Sequence, residues 1–295
     1  MPRTIRYERL PTEQSNPRSR ALDRLSIPTL LRLMNREDAR AVRAVGAQLP
    51  QIGRAVRLIA GTLRRGGRLF FVGAGTSGRL GVIEAAECPP TFHTPPSLIQ
   101  AIIAGGRGVV FRSREGAEDH RAQARTAIRR RVRRGDVVVG IATSGVTPFV
   151  DAALRTARRR HAQTILIACH PRPVILAQIR ITPLVGPEVL TGSTRLKAGT
   201  ATKLILNMLT LGAMVQLGKT YGHLMVDVRP TSRKLRARAL RIIRSLTGCS
   251  DREAASALGA ARGHVKVAVV MVKKRLGGAA AIRRLRQVDG SLRQA

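Results

Sequence analysis

Short, nearly continuous apolar runs punctuate the first two thirds of the chain: "RLFFVG" (68–73), "LIQAIIAG" (98–105), "DVVVGIA" (136–142), "QTILIAC" (163–169) and "ITPLVG" (181–186). Runs this short and this apolar are what strands buried on both faces require, so they predict up to five strands. Segments of helical period lie between and before them. Residues 26–67 carry apolar positions spaced for two or three helices, and Ser77 to about Glu87 reads as a helix. So do 115–132, with acids in its first turn where the macrodipole favours them, and a stretch from the turn "TSGVTP" to about Arg160. Strands alternating with helices imply a parallel sheet covered on both faces, an α/β class. Residues 197–222 predict one long, mostly apolar and central helix. Beyond about Val228 the texture becomes all-helical, with an S-x-x-E capping box at Ser250 and Glu253. Residues 1–20 read as a flexible arm. The expected organisation is an N-terminal arm and helices (1–50), an α/β ligand-binding domain (51–228) and a small helical subdomain (229–295).

The 295 residues suffice for this plan. At 44 % apolar but only 2 % aromatic, the core has to be built from Ala, Leu, Ile and Val. No apolar run reaches the roughly 20 residues of a membrane helix. The basic N-terminus lacks the apolar segment of a secretory signal, so the chain is expected in the cytoplasm. Cys88, Cys169 and Cys249 are widely spaced and form no C-x-x-C pair, which argues against a disulfide framework or a structural zinc site. The six histidines make no H-x-x-x-H pair.

The formal charge of +36 raises the possibility of a nucleic-acid partner. The arginines are spread over almost every segment instead of forming one patch, and the few aromatics offer no stacking platform for single strands. The charge therefore reads as a solvated, arginine-rich surface with weak, salt-sensitive binding to polyanions.

The first strand runs into "GAGTSG", in which Gly73, Gly75 and Gly78 match the G-x-G-x-x-G of dinucleotide sites. That fingerprint also needs an acid about 20 residues on to hold the ribose. No Asp or Glu occurs from Thr91 to Arg114, and Glu84 and Glu87 come too early. The turn offers hydroxyls instead, on Thr76 and Ser77, at a helix N-terminus. The third strand ends likewise in Ser144 and Thr147. Two hydroxyl-rich loops at the carboxyl ends of neighbouring strands suit the phosphate of a small phosphorylated molecule.

The segments "GAGTSGRLGVIEAAECPPTF", "EGAED", "SGVTPFVDAAL", "GPEVLTGSTRLKAGTATKLILNML" and "GKTYGHLMVDV" resemble the N-acetylmuramic acid 6-phosphate etherases, enzymes of the sugar-isomerase (SIS) fold related to the glucokinase regulatory protein. The resemblance runs from about Glu13 to near the C-terminus. It implies a three-layer sandwich around a mostly parallel five-stranded sheet plus the helical subdomain. It also implies conversion of N-acetylmuramate 6-phosphate and water to N-acetylglucosamine 6-phosphate and D-lactate, no metal or organic cofactor, and a homodimer whose site draws on both subunits.

An unactivated ether resists hydrolysis. In the ring-opened sugar, however, C3 is β to the C1 aldehyde, so a base can take the C2 proton, lactate can leave from C3, and water can add back. The family's catalytic pair maps onto Glu87 in "AECPP", as acid to the leaving oxygen and later activator of water, and Glu118 in "EGAED", as base at C2. The resemblance assigns substrate binding to Thr76, Ser77, Gly78, Ser144 and Thr147 at the phosphate, Glu115 at a sugar hydroxyl, and Lys197, with Arg195 beside it, as a basic group. The chain departs from the family pattern at Glu84 (Asp), Ala86 (Ser), His93 (Gly) and Val146 (Arg), changes that bear on affinity and loop shape. Two rival readings share part of these features: a SIS-type phosphosugar isomerase or sensing regulator, and a basic nucleic-acid-binding protein.

Overall fold

The computed structural model describes residues 6–295; the first five residues of the expected arm lie outside the described residues. Five strands form one sheet: β1 (Leu69–Gly73), β2 (Ile99–Ile103), β3 (Val137–Ile141), β4 (Gln163–Ile167) and β5 (Ile179–Ile181). All pair in parallel in the order β2-β1-β3-β4-β5. The chain thus steps from β1 outward to β2, then back past β1 to β3. The crevice at the carboxyl ends of β1 and β3 is a topological switch point, where open α/β sheets bind ligands.

The helices preceding and crossing this sheet are α1 (Ile27–Gly46), α2 (Leu49–Arg64), α3 (Gly75–Phe92), α4 (Arg121–Arg131), α5 (Pro148–Arg159) and α6 (Lys197–Gln216). Phe70, Val72, Val138 and Leu166 point to one face of the sheet, where they bury against Ala124 and Ile128 of α4 and Phe149, Val150 and Leu154 of α5. Alternate residues point the other way. Phe71 and Ile141 meet α3 so closely that a Cβ on Gly81 would fall 2.8 Å from Phe71 Cβ. The three layers follow from period-two alternation of wholly apolar strands.

The chain divides into two compact units, one comprising residues up to Ala86 with Ser97–Thr210, the other Glu87–Pro96 with Leu211–Ala295. The second unit holds α7 (Arg233–Thr247), α8 (Asp251–Ala260), α9 (Val265–Lys274) and α10 (Gly278–Gln287), packed around Ile242, Ile243, Leu258, Val265, Val269 and Leu285. The capping box forms as expected: Ser250 Oγ accepts the Glu253 N–H at 3.3 Å, and Glu253 Oε2 accepts the Ser250 N–H at 2.8 Å. In the same unit His93, at φ +53°, stacks on His264 with ring centroids 5.1 Å apart.

Several expectations need correction. The fifth strand is Ile179–Ile181, not 181–186; Pro183 has no N–H to give a ladder. The acids of "EGAED" precede α4 instead of opening it, because Gly116 at φ +72° turns the chain and 117–119 form a separate 3-10 turn. Helix α3 runs on through Pro89 and Pro90 to Phe92. By length and composition α6 is apolar enough to cross a membrane, contrary to the expectation for this chain, but 56 % of that stretch is buried within the protein. Beyond Arg6 the expected arm holds 3-10 turns at Tyr7–Arg9 and Pro17–Ser19, with Leu10, Thr12 and Asn16 buried, and a further turn follows it at Leu22–Arg24.

Candidate functional site

The loop after β1 turns directly into α3. A Cβ on Gly78 would lie 2.5 Å from Ile103 Cγ1 and 2.8 Å from the Gly73 carbonyl, so only glycine lets the first turn of α3 sit down on the ends of β1 and β2. That seating presents Thr76, Ser77 and the free N–H groups of a helix N-terminus to the crevice. The loop after β3 is shaped by Gly145, whose φ is +76° and where an added Cβ would fall 2.9 Å from Pro173 Cβ, leaving no place for a side chain. It carries Thr143, Ser144 and Thr147 up to the start of α5. Because β1 and β3 are adjacent and parallel, the two loops emerge side by side.

Together they line a cavity of about 480 Å³, a size suited to a phosphorylated sugar. A second wall comes from the loop after β2, with Glu115, Glu118 and Asp119. Arg79, inside the glycine-rich motif, holds this loop in place: Nε donates to the Val110 carbonyl at 2.9 Å and Nη2 to the Val109 carbonyl at 2.7 Å. The third wall is Thr12 and Glu13 of the N-terminal segment, with Gly192 and Thr194. All of these residues belong to the first unit.

Of the residues singled out in the sequence, Thr76, Ser77, Ser144, Thr147, Glu115 and Glu118 therefore meet around one cavity. The carboxylates of Glu115 and Glu118 make no ion pair or hydrogen bond with any described residue. Gly78 contributes close packing, not a ligand group. Glu87 belongs to the second unit, on an exposed turn of α3. Lys197 lies elsewhere than its motif implied. Its side chain is fully buried, paired with Glu37, and donates to the Pro187 carbonyl at 2.6 Å. Burial works to raise the Glu37 carboxyl, but Lys197, by hydrogen bond and by charge, then Asn16 and Arg40, outweigh it and hold the group below its ordinary value. Next to this pair Glu188 caps α6, accepting the N–H groups of Lys197 at 3.0 Å and Ala198 at 2.9 Å. Burial pushes the Glu188 carboxyl up despite those two donors.

Sequence reasoning missed Arg79, Arg114, Asp119, Glu13 and Thr194 as cavity residues. Arg79, Arg114, Asp119 and Thr194 carry a legible signal, since each lies in or abuts a motif already singled out. Glu13 carries none. The departures also find their places. Glu84 is buried and accepts from Asn207 Nδ2 at 2.6 Å and from the Thr210 hydroxyl, both on α6. Val146 is a buried part of the cavity wall.

The arrangement offers hydroxyls, helix N–H groups and two guanidinium groups for an anion, and unpaired carboxylates for hydroxyls and protons. A phosphorylated polyol fits that division.

Known proteins of the same composition of parts exist. Residues 51–158 match the family model of the glucokinase regulatory protein N-terminal SIS domain. Proteins named N-acetylmuramic acid 6-phosphate etherase from a Nostoc species and from Gloeobacter violaceus are 53 % and 56 % identical, over 96 % and 90 % of this chain and 94 % and 89 % of their own. That of Rhodopirellula baltica is 49 % identical over 96 % of this chain and 95 % of its own. Among solved structures, a phosphoheptose isomerase from Francisella tularensis superposes with a TM-score of 0.50 at 16 % identity, covering 65 % of this chain and 99 % of that one. A putative phosphosugar isomerase from Bacteroides fragilis gives 0.50 at 18 %, covering 64 % and 90 %. The last two show the fold alone.

Proposed function

The chain belongs to the N-acetylmuramic acid 6-phosphate etherases, and from that premise we infer that it removes D-lactate from N-acetylmuramate 6-phosphate by elimination and adds water, leaving N-acetylglucosamine 6-phosphate. One observation carries this reading: two hydroxyl-rich turns and the unpaired carboxylate of Glu118 line the same cavity. The turns take the 6-phosphate, with Thr76, Ser77, Ser144 and Thr147 donating hydrogen bonds beside the N–H groups of α3. Arg114, which lines the same cavity, adds positive charge to it. Holding the phosphate fixes the sugar chain of the opened form, so that C2 and C3 lie at a set distance from it.

In this reading Glu118 takes the C2 proton. The electron pair moves into the C2–C3 bond as the C3–O bond to lactate breaks, and the departing oxygen is protonated by Glu87. The same Glu87, now ionised, takes a proton from water as the oxygen adds to C3, and Glu118 returns a proton to C2. The balance is one water consumed and one lactate released, and no redox partner is needed. Glu115 accepts a hydrogen bond from a sugar hydroxyl.

We assign Glu87 to the site of a second copy of the chain. Ile83, Ala86, Glu87 and Pro90 recur at helical spacing and are all exposed, with Ile83 59 % exposed. A carboxylate set among apolar neighbours on an open helix face suits a surface that another subunit covers. A homodimer acting in the cytoplasm on a sugar phosphate is thus the proposed working form.

Oxygen-18 water provides the test. Lactate should be released, and the label should appear at C3 of the amino sugar. Label in the lactate hydroxyl overturns the elimination route, and isomerisation without lactate overturns the etherase reading in favour of a phosphosugar isomerase.

A further inference from the structure

The chain has 53 Lys and Arg residues against 17 Asp and Glu. Among the described residues Glu37, Asp136, Asp151, Asp227 and Asp251 form ion pairs with these cations. Glu13 is an acid that faces the cavity and makes no ion pair with any described residue. Its Oε1 accepts the hydroxyl of Thr12 at 3.0 Å. Its Oε2 lies 3.3 Å from where a Cβ on Gly192 would be, so the absence of a side chain there leaves that oxygen its space.

Glu13 is not on a loose tail. Thr12 and Asn16, on either side of it, are both buried. The Gly192 N–H donates to the Thr12 carbonyl at 3.1 Å. Asn16 Nδ2 donates to Glu37 Oε2 at 2.9 Å and to the Pro187 carbonyl at 3.2 Å. Lys197 grips the same Glu37 and the same Pro187 carbonyl. The buried pair therefore latches the N-terminal segment to the loop that carries Gly192 and Thr194, and those two strips together make one wall of the cavity.

We propose that Glu13 is a specificity-determining residue that accepts a hydrogen bond from the C4 hydroxyl of the sugar phosphate, and that Asn16, Glu37 and Lys197 are the positioning residues that hold it there. The choice of hydroxyl rests on the etherase reading. In that substrate C3 carries the ether and C6 the phosphate, and C1 becomes an aldehyde on ring opening. The C4 hydroxyl alone is free in both the closed and the open form, so a fixed acceptor can hold it throughout the reaction.

The experiment compares N-acetylmuramate 6-phosphate with its 4-deoxy analogue in wild type, Glu13→Ala and Glu13→Gln, reading kcat/KM for lactate release. Wild type should lose about ten- to a hundredfold on the 4-deoxy compound, the range expected when a hydrogen bond to a charged group is lost. Glu13→Ala should show a loss of about that size on the parent substrate and no further loss on the analogue, with Glu13→Gln in between. Asn16→Ala should raise KM and blunt the discrimination while kcat stays within about twofold. Glu8→Gln, a nearby acid outside the cavity wall, should behave as wild type. Calorimetric binding of N-acetylglucosamine 6-phosphate and its 4-deoxy analogue reads the same contact without turnover, so an inactive wild type would overturn the etherase reading while leaving this contact measurable. A Glu13→Ala protein that keeps the full 4-deoxy penalty overturns the proposal.

Discussion

Lys197 and Glu37 stand 160 residues apart in the chain and meet as an ion pair from which solvent is almost wholly excluded. Removing one member of such a pair leaves the other buried and uncompensated. Lys197→Met should therefore lower stability by about 3 kcal/mol in chemical denaturation, the lower end of the usual range because Arg18 and Arg40 approach Glu37 Oε1 at 3.6 and 3.3 Å. The double variant Lys197→Met, Glu37→Gln should regain part of that loss. The pH dependence has a definite sign. Glu37 titrates lower in the folded protein than in the unfolded chain, so its stabilisation is present above its unfolded pKa and is lost as pH falls through the folded one. The acid-side fall in stability should be shallower in the double variant; equal slopes would contradict it.

Glu118→Gln should cut lactate release by at least about a hundredfold while calorimetry still detects sugar-phosphate binding. Glu87→Gln should do the same. If each site takes Glu118 from one subunit and Glu87 from the other, a mixed dimer of the two inactive variants has one intact site. Random re-association of equal amounts should then restore about a quarter of wild-type activity. Mixtures as inactive as their components would place both carboxylates on one chain.

Gly78→Ala tests the seating of the phosphate turn. The new methyl would collide with the Gly73 carbonyl and Ile103. We expect a loss of about 1–3 kcal/mol in stability together with a raised KM. An unshifted melting temperature with unchanged kinetics would show that the turn has slack.

His93 occupies a left-handed backbone conformation where the family pattern carries glycine. Burial, then the charges of His264 and Arg229, hold its imidazole below the ordinary histidine value. A base titrating lower when folded contributes stability above its unfolded pKa and loses it as pH falls. Between about pH 7 and pH 5 the melting temperature of wild type should drop further than that of His93→Gly. The same drop in both proteins would remove His93 from the account.

Much of this architecture was legible because it is local. Four strands fall inside the apolar runs that marked them, and the capping box at Ser250 and Glu253 formed as spelled. The hydroxyls of Thr76, Ser77, Ser144 and Thr147 converge because parallel neighbouring strands bring their carboxyl-end loops together. What was hidden depends on distance along the chain or on competition. Asn16 reaches Pro187 across 171 positions, and no periodicity announces such a contact. Lys197 reads as a site lysine from its motif, yet Glu37 claims it, and only the fold reveals which partner wins. The "EGAED" acids looked like a helix start until the left-handed Gly116 moved them into a turn of their own.

The strand order β2-β1-β3-β4-β5 separates two groups of cavity residues in this molecule. The hydroxyl-bearing turns are welded to the sheet, where a single methyl at Gly78 would have no room. The acids that line the same cavity, Glu13, Glu115, Glu118 and Asp119, come from other segments: the excursion after β2 and the N-terminal strip. Exchanging those segments would change which acids face the cavity while the turns after β1 and β3 keep their seat on the sheet.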